Sequence, residues 1–416
     1  MTIIKVYSTL TIFLIFLFWA SLYNTAIFVI FGGITGQITL LAVWFISLLL
    51  INRKHLKFAL ENIACHSVEI IFLSTFAIIN LIYLLISYGD FAYEYFVRVL
   101  LLLVLHLTII IHLKRNILLF NQLVSFIIVL FGSISFYVIP ILFNNPFIAR
   151  FNEFSDGELP WFGSWSFFMP LAISMPCFVT VANNQKNKIF RRLLYILCLL
   201  ICIMIIFSTF AASIILLLLG IFIMFLLNLK NKRKFVIISM SIFTVLIILL
   251  NLNDFDELPQ IGKMVEKIGT IFNFSKDLGG DDNDPRIRAS LVQTSINSFI
   301  HNPFFGVGLY GPSDKGYTLI GMHSGFLDSL AQYGLFGIIW FFCFLFIGFR
   351  RLLLIMSRRK YDHLNNARFV TFILYIIGSL ANPVLTETTF CTLVFLLALS
   401  PIENNVLEKN KNLSIT

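Results

Sequence analysis

The residues best suited to chemistry stand late in the chain. Arg286 and Arg288 follow an acidic run and a proline, Asp281-Asp282-Asn283-Asp284-Pro285. An Asx residue before proline marks a helix start. The spacing therefore predicts a helix from Pro285 to about Ile300, with Ile287, Leu291, Ser295 and Phe299 on one face and both arginines in the first turn. Cations there oppose the helix dipole. A docked anion would be favoured by the free N–H groups and both guanidinium groups, which is the chemistry of a phosphate or pyrophosphate site. Pairing with Asp281, Asp282 or Asp284 is the structural alternative. His323 opens the next apolar segment, where a neutral imidazole can act as a general base; a surface or capping histidine is the plainer reading. Ser324 has the type of an N-cap. Asp328 and Gln332 follow one turn apart. Ionisable groups at membrane depth are costly and tend to face a polar interior. Asp328 either faces such a polar interior or, lying one turn inside, snorkels or pairs. Arg98 and Arg150 either join the anion site or are snorkelling or loop arginines.

These residues need a scaffold, and composition says what kind. Of 416 residues, 59% are hydrophobic and 12% charged, against about half and a quarter in soluble domains; mean hydropathy is +0.92. The apolar residues fall in blocks long enough to cross a hydrocarbon core as helices. The expected fold is all-α and polytopic, with about twelve transmembrane helices. The expected spans are Ser8–Leu22, Ala26–Leu50, Val68–Ser87, Tyr95–Ile111, Ile117–Phe143, Gly163–Ala182, Leu193–Phe207, Phe210–Leu227, Phe235–Leu250, Ser324–Ile347, Phe369–Leu380 and Thr388–Ser400.

The net charge of +9 does not mark a nucleic-acid binder, because the basic residues cluster in short connections. Arg53, Lys54 and Lys57 follow the second span; Lys114 and Arg115 follow the fourth; Lys186, Lys188, Arg191 and Arg192 follow the sixth. Lys230, Lys232, Arg233 and Lys234 follow the eighth, and Arg350, Arg351, Arg358, Arg359 and Lys360 follow the tenth. This alternation places both termini in the cytoplasm. The chain then divides into residues 1–250, with nine spans and a short outer segment near 144–162; residues 251–323, a large, partly helical outer loop; and residues 324–416, with three spans and a tail. Within the loop, Leu258–Phe272 is expected as an amphipathic surface helix.

The six cysteines form no CxxC pair and read as buried free thiols. His106 and His112 read as packing or interfacial residues. Gly334 and Gly337 read as sites of close helix packing. No HExxH, P-loop or GxSxG motif occurs, which leaves a cytoplasmic nucleotide-driven enzyme unsupported.

Three stretches carry a resemblance: Arg288 to Phe299; His301-Asn302-Pro303-Phe304-Phe305-Gly306-Val307-Gly308; and Gly321-Met322-His323-Ser324-Gly325-Phe326-Leu327-Asp328, leading into Gly334-Leu335-Phe336-Gly337. Together they resemble the O-antigen ligase and polymerase superfamily of bacterial inner-membrane glycosyltransferases. The resemblance implies a metal-independent enzyme without a cofactor, acting on the periplasmic face on a glycan carried by undecaprenyl pyrophosphate. It implies that Arg288 binds the pyrophosphate and that His323 stands beside the acceptor hydroxyl, with Arg286, Arg98, Arg150 and Asp328 as further substrate-binding candidates. It further implies membrane lipids, chain-length regulators and flippases as partners. Family members often carry an arginine at the outer end of the eighth span, where this chain has Phe210. His323 is followed by Ser-Gly rather than asparagine, which looks more like the polymerases than the ligases. The expected function is polymerisation of lipid-linked repeat units. The alternatives are ligation of the glycan to lipid A–core and, in another class, transport of lipid-linked oligosaccharides.

Overall fold

The computed structural model describes residues 63–86, 96, 99–100, 102–107, 109–110, 117–144, 165–208, 210–228, 285–307, 320, 324–358, 363–382, 385 and 388–400. Among these residues the regular structure is helical throughout. The helices are α1 (Ser67–Ile86), α2 (Ile117–Asn144), α3 (Trp165–Asn183), α4 (Lys188–Phe207), α5 (Ala211–Asn228), α6 (Pro285–His301), α7 (Gly325–Arg358), α8 (His363–Ala381) and α9 (Thr388–Leu397). Residues 102–107 are also helical. The expected first, second and ninth spans, the surface helix at Leu258–Phe272, the outer segment near 144–162 and both termini lie outside the described residues. So does the full count of twelve.

α2, α4 and α7 are each long and apolar enough to cross a membrane, and α1, α3 and α5 hold shorter apolar stretches. Their outward faces are as greasy as their inward ones. In α1, Leu73, Phe76, Asn80 and Tyr83 are buried, while Ile71, Ile78, Ile82 and Leu85 are exposed. A helix apolar all round belongs in a large core or in hydrocarbon. A row of exposed isoleucine and leucine makes hydrocarbon the solvent on that side, and the chain is a membrane protein. In hydrocarbon, tight van der Waals packing and small residues hold helices together. A Cβ on Gly132 of α2 would lie 2.6 Å from Leu197 Cβ of α4, and one on Gly220 of α5 would lie 2.7 Å from Leu374 Cδ1 of α8.

Three helices extend beyond their expected limits, each at a basic end. α4 begins at Lys188, where the Asn187 side chain caps it by accepting from the Ile189 and Phe190 N–H groups. Lys188, Arg191 and Arg192 therefore belong to its first turns and not to a connection. α7 continues to Arg358, and α8 starts at His363 rather than Phe369. Lysine and arginine are good helix formers, so the backbone continues as helix where hydropathy falls; the α8 arginine, Arg368, is buried inside the protein and does not reach water.

One end of the bundle is closed by a polar cluster that composition does not announce. Glu69 is the sole charged residue of α1. Its Oε1 lies 2.5 Å from Arg351 Nη1 of α7, and its Oε2 lies 3.3 Å from Nε2 of the buried His106. Arg351 Nη1 also lies 3.0 Å from His66 Nδ1. The His106 ring sits edge-on against Phe344 and Phe395. Arg351 donates to the Leu399 carbonyl, and the fully buried Arg368 of α8 donates to those of Ala398 (3.0 Å) and Ser400. Two guanidinium groups thus satisfy the carbonyls that follow α9, which a helix end otherwise leaves open.

Candidate functional site: the loop helix and the broken helix

At the opposite end of the bundle, α6 and the turn after it pack on the start of α7. α7 is broken rather than straight. Gly334 has φ 64° and ψ −179°, a backbone conformation open essentially to glycine alone. The break leaves the carbonyls of one half-helix and the N–H groups of the next without helical partners. The turn at 302–307 supplies them. Pro303 O accepts from Leu335 N at 2.8 Å, Phe304 O accepts from Phe336 N at 2.9 Å, and Val307 N donates to Ala331 O at 2.8 Å. The two backbones are so close that no side chain fits between them. A Cβ on Gly334 would lie 2.4 Å from Phe304 C, and one on Gly306, itself at φ 68°, would lie 2.3 Å from Gln332 O. The Tyr83 hydroxyl of α1 lies 2.9 Å from both Phe305 O and Tyr333 O and seals the crossing. Gly334 is therefore the place where a helix opens to receive another backbone. Gly337 is the ordinary packing glycine, its Cβ site facing Tyr333 Cβ at 2.8 Å.

This crossing gives the sequence pattern its physical sense. The Asn302-Pro303-Phe304-Phe305-Gly306 turn and Gly334 are two halves of one joint. The joint fixes the end of α6 against the segment that begins just after His323. Arg286 and Arg288 occupy the first turn of α6, as expected from Pro285. The expected face of α6 is partly borne out: Leu291 and Phe299 are half-buried and Ser295 is buried, joined by Ser298.

A buried polar contact joins α6 to α7. Asp328 is buried, and its Oδ1 accepts from the Ser295 hydroxyl at 2.6 Å. Its Oδ2 accepts from the Ser324 N–H at 3.0 Å, while Asp328 N donates to Ser324 O at 2.8 Å. The backbone bond is the ordinary first bond of α7, and the Asp328 side chain satisfies the Ser324 N–H, which the helix start otherwise leaves open. The short Ser295 contact has the length of a charge-assisted bond. The turn between α8 and α9 closes the remaining side. Gly325 N donates to Asn382 O at 2.9 Å, and a Cβ on Gly325 would meet Leu385 N at 2.8 Å. Ser295, Asn382 and the crossing glycines were not among the candidate residues. Ser295 lay on the expected face, but its partner is 33 positions away. His323, Arg98 and Arg150 lie outside the described residues.

The segment built around this joint also matches a known family. Residues 196–342 match the O-antigen ligase family. The match covers about a third of the chain and supports membership of the O-antigen ligase and polymerase superfamily. Among curated proteins none matches the chain. The O-antigen ligase segment takes in Arg288, His323, the Gly306–Gly334 crossing and Asp328, and it leaves out Arg98 and Arg150. It also includes Phe210, where the resemblance leads one to expect an arginine. The Phe210 ring packs 5.7 Å from that of Phe168, an aromatic contact in place of a cation.

Proposed function

We propose that the protein joins lipid-linked oligosaccharide repeat units into a surface polysaccharide on the periplasmic face of the inner membrane. The observation that carries this reading is the family match over 196–342, which contains the arginine-bearing helix, His323 and the joint between their elements. In the proposed reaction the acceptor sugar hydroxyl attacks the anomeric carbon of the donor glycan. The bond from that carbon to the pyrophosphate oxygen breaks, and the lipid pyrophosphate leaves with the electron pair. His323 takes the hydroxyl proton. Arg288, at the open end of α6, stabilises the charge on the leaving group with the free N–H groups of the first turn. Arg286, Arg98 or Arg150 supplies the second positive charge where Phe210 replaces the expected arginine. Pyrophosphate is already a good leaving group, so positioning and charge carry the catalysis.

The description of the matching family favours a second reading, ligation of the glycan to lipid A–core. The Ser-Gly after His323 favours the polymerase. The surface glycan of a deletion strain separates them. A single repeat unit on lipid A–core means polymerase. Bare lipid A–core, with long chains held on the lipid carrier, means ligase. Complementation with Arg288→Ala or His323→Ala is expected to leave the deletion phenotype. A full wild-type ladder from both variants at normal expression would overturn the assignment.

A further inference from the structure

We infer that Asp328 is a positioning residue that fixes the spacing between Arg288 and His323; the inference rests on the catalytic reading above. One carboxylate holds both elements. Through Oδ1 it holds α6, by way of Ser295. Through Oδ2 it holds the backbone at Ser324, the chain neighbour of His323. Position 288 lies seven residues before Ser295, two helical turns along the same face. The clasp thus ties α6 to the start of α7 close in sequence to both functional residues.

The geometry makes the clasp matter. The Gly306–Gly334 crossing fixes the far end of α6. From Asn302 back to Arg288 the helix is about 21 Å long at 1.5 Å per residue. Pivoting α6 about the crossing by about 3° would carry its first turn roughly 1 Å, a displacement that can cost about a hundredfold in rate. Ser295, Ser324 and Asp328 are all buried, so water does not replace a lost bond there.

The test uses the full chain, purified into lipid nanodiscs. Its substrate is the lipid-linked glycan extracted from a strain lacking the protein. Ser295→Ala and Asp328→Asn are expected to lower kcat per folded molecule about ten- to a hundredfold, with KM for the lipid-linked glycan little changed. Ser295→Thr, which keeps the hydroxyl, is expected to restore kcat. A raised KM in Asp328→Asn with normal turnover in Ser295→Ala would make Asp328 a direct substrate contact and overturn the inference. Loss of folded protein in Ser295→Ala, with normal kcat in the molecules that remain, would reduce the clasp to a structural role and also overturn it. Should Asp328→Asn not fold, the Ser295→Ala and Ser295→Thr pair decides alone. Arg288→Ala and His323→Ala, run alongside, keep the two failures apart. If both turn over normally, the catalytic reading fails; if both are dead while Ser295→Ala is normal, only the positioning role fails.

Discussion

Replacing Gly334 with alanine strikes the joint directly. The residue has φ 64° and ψ −179°, a region that costs any other residue about 1–3 kcal/mol. The new Cβ would lie 2.4 Å from both the carbon and the oxygen of the Phe304 carbonyl. Those are backbone atoms, so the turn and the helix break must move apart. Three hydrogen bonds span that gap, from Leu335 N, Phe336 N and Val307 N. At about 0.5–1.5 kcal/mol each they add roughly 2–4 kcal/mol. The sum, about 3–7 kcal/mol, is a large part of the stability of an ordinary domain. Gly348→Ala is the contrast. Its Cβ meets only the methyl end of Leu399, at 2.7 Å, in a regular helix, so a side-chain adjustment suffices. Its cost is expected near 1 kcal/mol, at the low end for overpacking. The assay is thermal unfolding of the detergent-solubilised protein followed by size exclusion, with the surface glycan ladder beside it. Gly334→Ala is expected to melt at least about 5 °C lower or fail to accumulate, and to lose the ladder. A melting temperature within about 1 °C of wild type, with a full ladder, would refute the account of the joint.

Two other substitutions probe the same scaffold. Tyr83→Phe removes the hydroxyl that seals the crossing and leaves the ring in place, at an expected cost of about 1–2 kcal/mol in unfolding experiments. Arg351→Met leaves Glu69 buried without its guanidinium and is expected to cost about 3–5 kcal/mol. The double variant Glu69→Leu, Arg351→Met is expected to be more stable than Arg351→Met alone; equal or lower thermal stability would show that the pair is not coupled.

Much of this architecture is legible in the chain, and the misses have a common cause. α1, α2 and α5 begin and end within a residue or so of their expected limits, because their apolar runs stop sharply. α4, α7 and α8 were cut short because hydropathy falls where Lys188, Arg350 or Arg368 begins, although the backbone goes on. Pro285 announced the loop helix, and Asp328 stood out as an acid in an apolar segment. What could not be read is pairing across distance. Nothing near Glu69 points to Arg351, 282 positions on. Nothing near Gly334 reveals that the open N–H groups of Leu335 and Phe336 and the open carbonyl of Ala331 are met by the turn at 303–307. Local pattern specifies helices; the joints between them are properties of two segments at once.

The carbonyls at the end of α9 have a consequence for how the protein is made. They are satisfied by Arg351 and Arg368, which leave the ribosome before α9 does. A chain that stops short of Thr388 therefore holds Arg368 in apolar surroundings without those two carbonyl acceptors, at a cost of several kcal/mol. The last helix therefore completes two earlier ones: α7 and α8 reach their final hydrogen bonding at this end only once residues 398–400 are in place.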